Sequence, residues 1–288
     1  MDQMSARKEK EGRSRGPVLD EATFQNLRRR ITSASGIYVL SDENSRFLLE
    51  RRLMPRLRQR GLTSFVEYES LLDNDELDAL LDVVAIHETY FFREKRQLRV
   101  FSEQIIPELA LLPRPINIWS AGCSTGEEAY TIAMLLAEHG LIEGRSKVIA
   151  SDLSNRVIES GRRGMYGASS FRTTEPGFRD KYFEENGHGL WRASDALRSA
   201  LRFEQSNLVG FDESLCRKAA GAGEGFDVIF CRNVLMYFDD AAVKKTLKSV
   251  HSLLKDGGYL LLGHAESLLP IGSGFKPVQI GRELVHKK

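Results

Sequence analysis

Residues 116–130, INIWSAGCSTGEEAY, constrain the fold of this chain more than any other stretch. Ile116-Asn117-Ile118-Trp119 alternates and is β-prone, the residues from Ala121 to Gly126 are small and turn-forming, and Glu127 opens a helix-forming run that closes on Gly140. A strand, a tight glycine turn and a helix, in that order, open an α/β nucleotide-binding sheet. Glycines there let backbone approach a ligand closely and take positive φ. The first helical turn carries Glu127 and Glu128. Two carboxylates suit the helix dipole but repel a pyrophosphate. A ligand with cationic and hydroxyl groups fits better, and S-adenosylmethionine, with its sulfonium, ammonium and ribose, is such a ligand. Taken by itself, the same turn also suits an ordinary βα loop.

Composition narrows the alternatives. The chain has 288 residues, 42% hydrophobic and 28% charged, with a formal net charge of +1. That is an ordinary globular composition, long enough for one large domain or two smaller ones. It has no global field to draw in nucleic acid or a membrane surface. Cys123, Cys216 and Cys231 are odd in number, dispersed, and lack metal-ligand or disulfide spacing. A reducing cytoplasm and no metal site are therefore expected. The N-terminus has no apolar core of a signal peptide, no apolar run approaches the ~18 residues of a membrane span, and residues 1–17 are expected to be a disordered tail.

From Leu19 the pattern is helical, with Asp20 as a cap, Phe24, Leu27 and Ile31 on one face, and Gly36 as a breaker. A second helix is expected from Glu43 to Arg60, ended by Gly61, with Phe47, Leu49, Leu53 and Leu57 as its apolar positions and Pro55 as a kink or restart. It carries Arg46, Arg51, Arg52, Arg56, Arg58 and Arg60 against Glu50. Those arginines read either as a solvated face or as a docking surface for an acidic partner. Thr63 is expected to cap a third helix, and a fourth runs from Asp75 to Ile86. The domain expectation is an all-helical region at 18–95, then an α/β region at 96–288 with a small insertion at about 165–200.

In the second region, Lys147 to Asp152 reads as a parallel strand whose last residue sits where an acidic side chain grips ribose hydroxyls. It lies roughly 30 residues after the glycine turn, against about 20 in dinucleotide folds. FRDKYFEE at 178–185 reads as helix, Gly187 to Gly189 as a turn, LWRAS as a strand, and 216–225 as a surface loop. Phe226 to Cys231 is a buried central strand ending in polar Arg232-Asn233. A helix from Ala241 to Leu254, a turn at Asp256-Gly257-Gly258, a strand to Leu262 and a hairpin around Gly281 complete the chain. Alternating strands and helices by themselves say only α/β.

Polar residues at the C-terminal ends of such strands converge on one crevice. With TYFFRE at 89–94, WSAGCSTGEEAY at 119–130, ASD at 150–152, NL at 207–208, FDVIFCRNVLMYF at 226–238 and GHAES at 263–267 in hand, the chain resembles the bacterial chemotaxis receptor methyltransferases of the CheR type. The resemblance covers about residues 18–286. It implies an N-terminal helical domain followed by a class I methyltransferase domain: a Rossmann-like, mainly parallel sheet with a terminal antiparallel hairpin and a small β insertion. It implies methyl transfer from S-adenosylmethionine to glutamate side chains of a receptor's cytoplasmic helices, giving S-adenosylhomocysteine. The cofactor contacts it implies are His87, Thr89, Arg93, Glu128, Asp152, Asn207, Leu208, Arg232 and Asn233, although an asparagine often stands where His87 does. Arg93 and Tyr237 match residues bordering the transferred methyl, and Arg93 is expected to orient either the acceptor glutamate or the cofactor carboxylate. Arg46, Arg51, Arg52 and Arg56 would face the receptor. Some family members also hold a receptor tethering peptide on their β insertion; the insertion here is compact, and no need for such a peptide is expected.

Each residue also has a plainer reading: Asp152 or Thr89 as a helix cap, Arg93 as a surface ion-pair residue, Tyr237 as core. The competing functions are a nucleic-acid or small-molecule methyltransferase and a non-catalytic S-adenosylmethionine-binding signalling module. Near-zero net charge and the lack of a basic groove interleaved with aromatics weigh against nucleic acid. A monomer is expected, reaching the membrane only through the receptor.

Overall fold

The structure is a computed structural model describing residues 16–210, 225–266 and 274–288. Nearly all of the expected N-terminal tail and of the 216–225 loop, with Cys216, lies outside the described residues, as does Ser267. The chain forms two compact units. One holds the described residues up to Ile31 with Val39–Val84, and the other holds Thr32–Tyr38 with the described residues from Ala85 onward. The boundary expected at 95 thus falls at Val84 and Ala85, and a short piece of the N-terminal region belongs with the second unit.

Among the described residues, four helices build the first unit: α1 (Glu21–Ser35, its end passing into the second unit), α2 (Glu43–Arg60), α3 (Phe65–Ser70) and α4 (Asn74–Val84). Helix α2 starts where Asp42 accepts the Ser45 N–H and ends at Gly61, whose φ of 68° a side chain would oppose. It runs on through Pro55. Leu49, Leu53 and Leu57 form its buried stripe, an i, i+4, i+8 row. Phe47, one of the four apolar positions read from the sequence, is 55% exposed, with the Arg51 guanidinium 5.7 Å from its ring centroid. Ser64, not Thr63, caps α3: its hydroxyl accepts the Glu67 N–H, and the Glu67 carboxylate reaches back to the Thr63 N–H at 2.9 Å. The cap therefore sits one residue later than expected, with Glu67 reaching back as in a capping box. Helix α4 stops at Val84, two residues early, and Arg52 donates to the Val84 carbonyl at 2.8 Å, satisfying one of the carbonyls a helix end leaves unpaired.

Glu76 on α4 is 1% exposed. Its carboxylate accepts from Arg56 through both oxygens at 2.7 Å and from Arg60. These bonds hold the Glu76 carboxyl well below the usual range, at about 2 against an ordinary 4.5, Arg56 being the main cause. A depressed carboxylate stabilises the fold above its unfolded pKa, and the contribution fades as pH falls towards the folded value. The helical unit should lose about 3 kcal/mol between pH 4.5 and 2. Acid titration of a helical signal should show this transition, and a Glu76→Gln variant should lack that part of the pH dependence.

In the second unit, α5 (Lys95–Val100), a π-helical turn (Phe101–Ile105) and α6 (Ile106–Ala110) lead to β1 (Ile116–Ala121), whose six residues are all buried. There follow α7 (Glu127–Glu138), β2 (Ser146–Asp152), α8 (Asn155–Arg163), β3 (Met165–Gly167), α9 (Pro176–Tyr182), β4 (Phe183–Glu185), β5 (Leu190–Ala193), α10 (Asp195–Ser199) and β6 (Leu201–Gln205). Then come β7 (Phe226–Cys231), α11 (Asp240–Leu253), β8 (Leu254–Leu262), β9 (Lys276–Ile280) and β10 (Glu283–Lys287). Among the described residues, seven strands form one sheet in the order β6-β2-β1-β7-β8-β10-β9, parallel except for the terminal hairpin. Strand order reverses at β1, so β2 and β7 flank it and a crevice opens at their C-terminal ends. This is the expected class I methyltransferase sheet with its antiparallel close.

The expected insertion is a three-stranded antiparallel sheet, β3-β5-β4. FRDKYFEE is helical only to Tyr182. Phe183 turns into β4 because its ring packs 5.1 Å from Phe91 and its backbone pairs with Ala193, so tertiary contacts override local helix propensity. Asp256-Gly257-Gly258, expected as a turn, lies inside β8 as an irregularity where the register against β7 shifts.

Candidate functional site

The crevice is built from three strand tips. At the end of β1 the chain turns through residues 122–126 into α7, with Gly126 at φ 99° serving as its N-cap. The Ser124 N–H donates to the Asp152 carboxylate at 2.9 Å, and the Ser154 N–H donates to its other oxygen at 3.1 Å. Asp152 thus ties the glycine turn to Ser154, the cap of α8, with 9% of its surface exposed. The Ser124 hydroxyl donates to the His87 carbonyl, laying the segment that carries His87, Thr89 and Arg93 against the turn.

Arg232, just past β7, is the electrostatic centre, with only 5% of its surface exposed. It donates to Glu128 at 3.1 Å, to Glu94 at 2.9 Å and to the Arg93 carbonyl at 2.7 Å. Glu128 also accepts from Ser120 at 2.7 Å. One guanidinium therefore ties the tips of β1 and β7 to the 87–94 segment. Burial pushes the Glu128 carboxyl up from its ordinary value despite Arg232. For Glu94 burial acts the same way, but Arg232 and Asn233 outweigh it and hold the group down. Glu127 turns the other way, to Thr125 and Ser170, so the two adjacent glutamates serve different faces of α7.

Two residues here escaped sequence reasoning. Glu94 joins Arg232, the Asn233 amide and the His264 N–H. Glu266 accepts backbone N–H bonds from Asn233, Val234 and Gly263 at 2.7–2.8 Å and from Met236 at 3.3 Å. Its carboxylate thereby sets the loop from β7 to Tyr237. Both residues stood inside the quoted TYFFRE and GHAES stretches, but nothing in spacing says that a carboxylate will collect main-chain donors. Backbone strain marks the same place. Among the described residues, five non-glycines have positive φ, and Phe92, Glu94, Ser124 and Asn233 are four of them. Such conformations cost of order 1–3 kcal/mol each and cluster at functional sites.

The remaining expected residues fall as follows. Arg93 is half-buried; its guanidinium donates to the Glu88 carbonyl at 2.9 Å and has no carboxylate partner among the described residues. Thr89 is half-buried beside it in sequence. Asn207 donates to the Ala34 carbonyl at 2.6 Å and accepts from Val209, and Leu208 is buried in the apolar cluster under β7. Tyr237, half-buried on a 3₁₀ turn, accepts through its carbonyl from the Tyr38 N–H at 2.7 Å. Burial pushes the Cys123 and Cys231 thiols up, which makes them poor nucleophiles. In the helical unit, Arg46 pairs with Glu21 and Glu43, and Arg52 holds the end of α4. The Arg56 guanidinium is committed to buried Glu76 on α4. Arg51 and Arg58 are exposed and make no ion pair among the described residues.

The donor set suits S-adenosylmethionine. Asp152 presents a carboxylate at the ribose position of such sheets, and Arg232 Nε is a buried donor with no partner among the described residues, available to an acceptor such as a ligand carboxylate. No described helix is long and apolar enough to cross a membrane.

Comparison with known proteins finds matches along most of the chain. Residues 22–85 match the family described as CheR methyltransferase, all-alpha domain, and residues 87–283 match CheR methyltransferase, SAM binding domain. The chain is 33% identical to chemotaxis protein methyltransferase 2 of Vibrio cholerae, over 90% of each chain. It is 33% identical to the chemotaxis protein methyltransferase of Borreliella burgdorferi, over 78% of this chain and 82% of that one. It is 35% identical to a probable biofilm formation methyltransferase, WspC, of Pseudomonas aeruginosa, over 84% of this chain and 56% of that one.

Proposed function

The chain belongs to the CheR methyltransferase family, whose members bind S-adenosylmethionine, and on that premise we propose that it esterifies glutamate side chains in the cytoplasmic helices of a chemotaxis-type receptor. The products are glutamate methyl esters and S-adenosylhomocysteine. The observation that carries this reading is Arg93: a half-buried guanidinium, on the segment whose His87 carbonyl meets the glycine turn, with its hydrogen bond to a carbonyl and its charge left for an incoming carboxylate.

When bound, S-adenosylmethionine supplies a methyl group made electrophilic by its sulfonium. An acceptor glutamate, with an ordinary pKa of about 4.3, is already ionised at neutral pH. The chain therefore supplies orientation and no general base, and orientation can be worth roughly 7–11 kcal/mol. In this reading Asp152, Thr89, His87 and Leu208 hold the cofactor and Arg93 aims the carboxylate. Tyr237 shapes the methyl pocket. Glu128, Arg232, Asn233 and Asn207 fix the strand tips on which those groups stand. Radiolabelled methyl transfer to a receptor cytoplasmic domain, with the label released by base, is the expected result; label that resists base would overturn the ester.

The docking face of α2 is read as Arg51 and Arg58 with Arg46 and Arg52 at its margins. Replacing Arg51 and Arg58 with alanine should raise the receptor KM several-fold and leave S-adenosylhomocysteine affinity unchanged; unaltered kinetics would make this an ordinary solvated face. The edge strands of the insertion, β3 and β4, are three residues long. That is a short ladder for an added peptide strand, which supports action without a tethering peptide. Micromolar binding of a receptor C-terminal peptide by calorimetry would reverse this.

A further inference from the structure

Arg172 follows the 3₁₀ turn of the insertion (Ala168–Phe171) and has no part in the assignments above. Its guanidinium carbon lies 3.8 Å from the ring centroid of Tyr90, and the Arg93 guanidinium carbon lies 5.9 Å from the same centroid. The two segments are clipped together beneath that ring. The Phe91 N–H donates to the Ser170 carbonyl at 2.9 Å, Thr173 donates to the Phe91 carbonyl at 2.8 Å, and Phe91 stacks on Phe171 at 4.7 Å. Ser170 in turn donates to Glu127 in the first turn of α7. The insertion thus delivers a second guanidinium to the ridge that carries Arg93.

The chemistry of that ridge points to an anionic partner. A guanidinium stacked by its face on an aromatic ring keeps its edge N–H groups for planar, bidentate acceptors, and carboxylates match that fork. Arg172 spends one edge on the Ser169 carbonyl and another on Glu88, both at 3.2 Å. The Glu88 pair is exposed, with 42% and 70% of the two side chains open to solvent, and pairs of that kind hold weakly. An incoming carboxylate can take the place of Glu88 at little cost. Two guanidinium groups, Arg93 and Arg172, thus stand on this ridge with Glu88, and Arg172 also acts on the buried Glu127 carboxyl.

We propose that Arg172, stacked on Tyr90, is a specificity-determining residue that binds an acidic side chain of the substrate helix next to the glutamate being methylated. The identity of that helix rests on the function proposed above; the acid-binding property of the ridge does not.

The test uses the full chain as wild type, Arg172→Ala and Arg172→Lys, with receptor helical fragments carrying either glutamate or glutamine beside the acceptor. Steady-state methyl transfer and equilibrium binding of the fragments by fluorescence anisotropy are both measured. Arg172→Ala should raise KM and Kd for the acidic fragment about tenfold, with kcat and S-adenosylhomocysteine affinity unchanged. It should have no such effect on the glutamine fragment. Arg172→Lys, which keeps the charge but loses the planar fork, should recover only part of the loss. An equal loss on both fragments, or none on either, overturns the proposal. Arg172-dependent binding of the acidic fragment without methyl transfer would sink the proposed function and leave this inference standing. Methyl transfer indifferent to Arg172 would do the reverse.

Discussion

Replacing Arg232 with methionine should destabilise the sheet unit by roughly 3–5 kcal/mol, the usual consequence of removing one member of a buried ion pair. The loss is not of one contact. Glu128 and Glu94 both pair with this guanidinium, and without it two largely buried carboxylates lose their shared cation, Glu128 being left with the Ser120 hydroxyl and Glu94 with the Asn233 amide and the His264 N–H. Each further raises the other's pKa, as the charge of Glu94 already does for Glu128. The melting temperature should fall by roughly 10 °C, and activity should be lost with it. Adding Glu128→Gln to the methionine variant should recover part of the stability, because one of the stranded charges is then gone. A methionine variant as stable as the parent in urea titration would mean that the two glutamates find other partners.

Asp152→Ala should weaken S-adenosylhomocysteine binding on the order of 100-fold, about what two hydrogen bonds to a charged group contribute, as read by calorimetry. The same carboxylate closes the turn at Ser124 and holds the N–H of Ser154, the cap of α8, so the alanine variant should also be modestly less stable. Asp152→Asn separates the two duties. It keeps a carbonyl for one backbone donor and replaces the other acceptor with an NH₂. Binding unchanged in both variants would remove Asp152 from the cofactor site.

Most of the sheet was legible because its signals are local and periodic. Residues 116–119 alternate and 226–231 form a mostly apolar run, each followed by turn or polar residues, and the end of α2 was readable because Gly61 is a strong terminator. Where distant contacts decide, the reading slipped. Phe183 belongs to a strand because Phe91 waits for its ring. Arg56 read as one arginine in a basic face because its partner Glu76 lies on another helix. Asp152 was placeable from its position at a strand end, whereas Glu94 and Glu266 were not, since their role is to gather N–H groups that only the folded loops bring within reach.

The second unit includes a piece of chain that its numbering hides. Ile37 bridges to Phe238, Tyr38 donates to the Tyr237 carbonyl, the Asp239 N–H donates to the Gly36 carbonyl, and Asn207 holds Ala34. Anyone wishing to isolate the catalytic part by starting an expression clone at Ala85 would therefore cut away the backbone partners of the loop bearing Tyr237. Such a truncation would report on a damaged crevice rather than a minimal one, and the residues from Thr32 to Tyr38 would have to be supplied, in the same chain or as a separate peptide, for the loop to regain its shape.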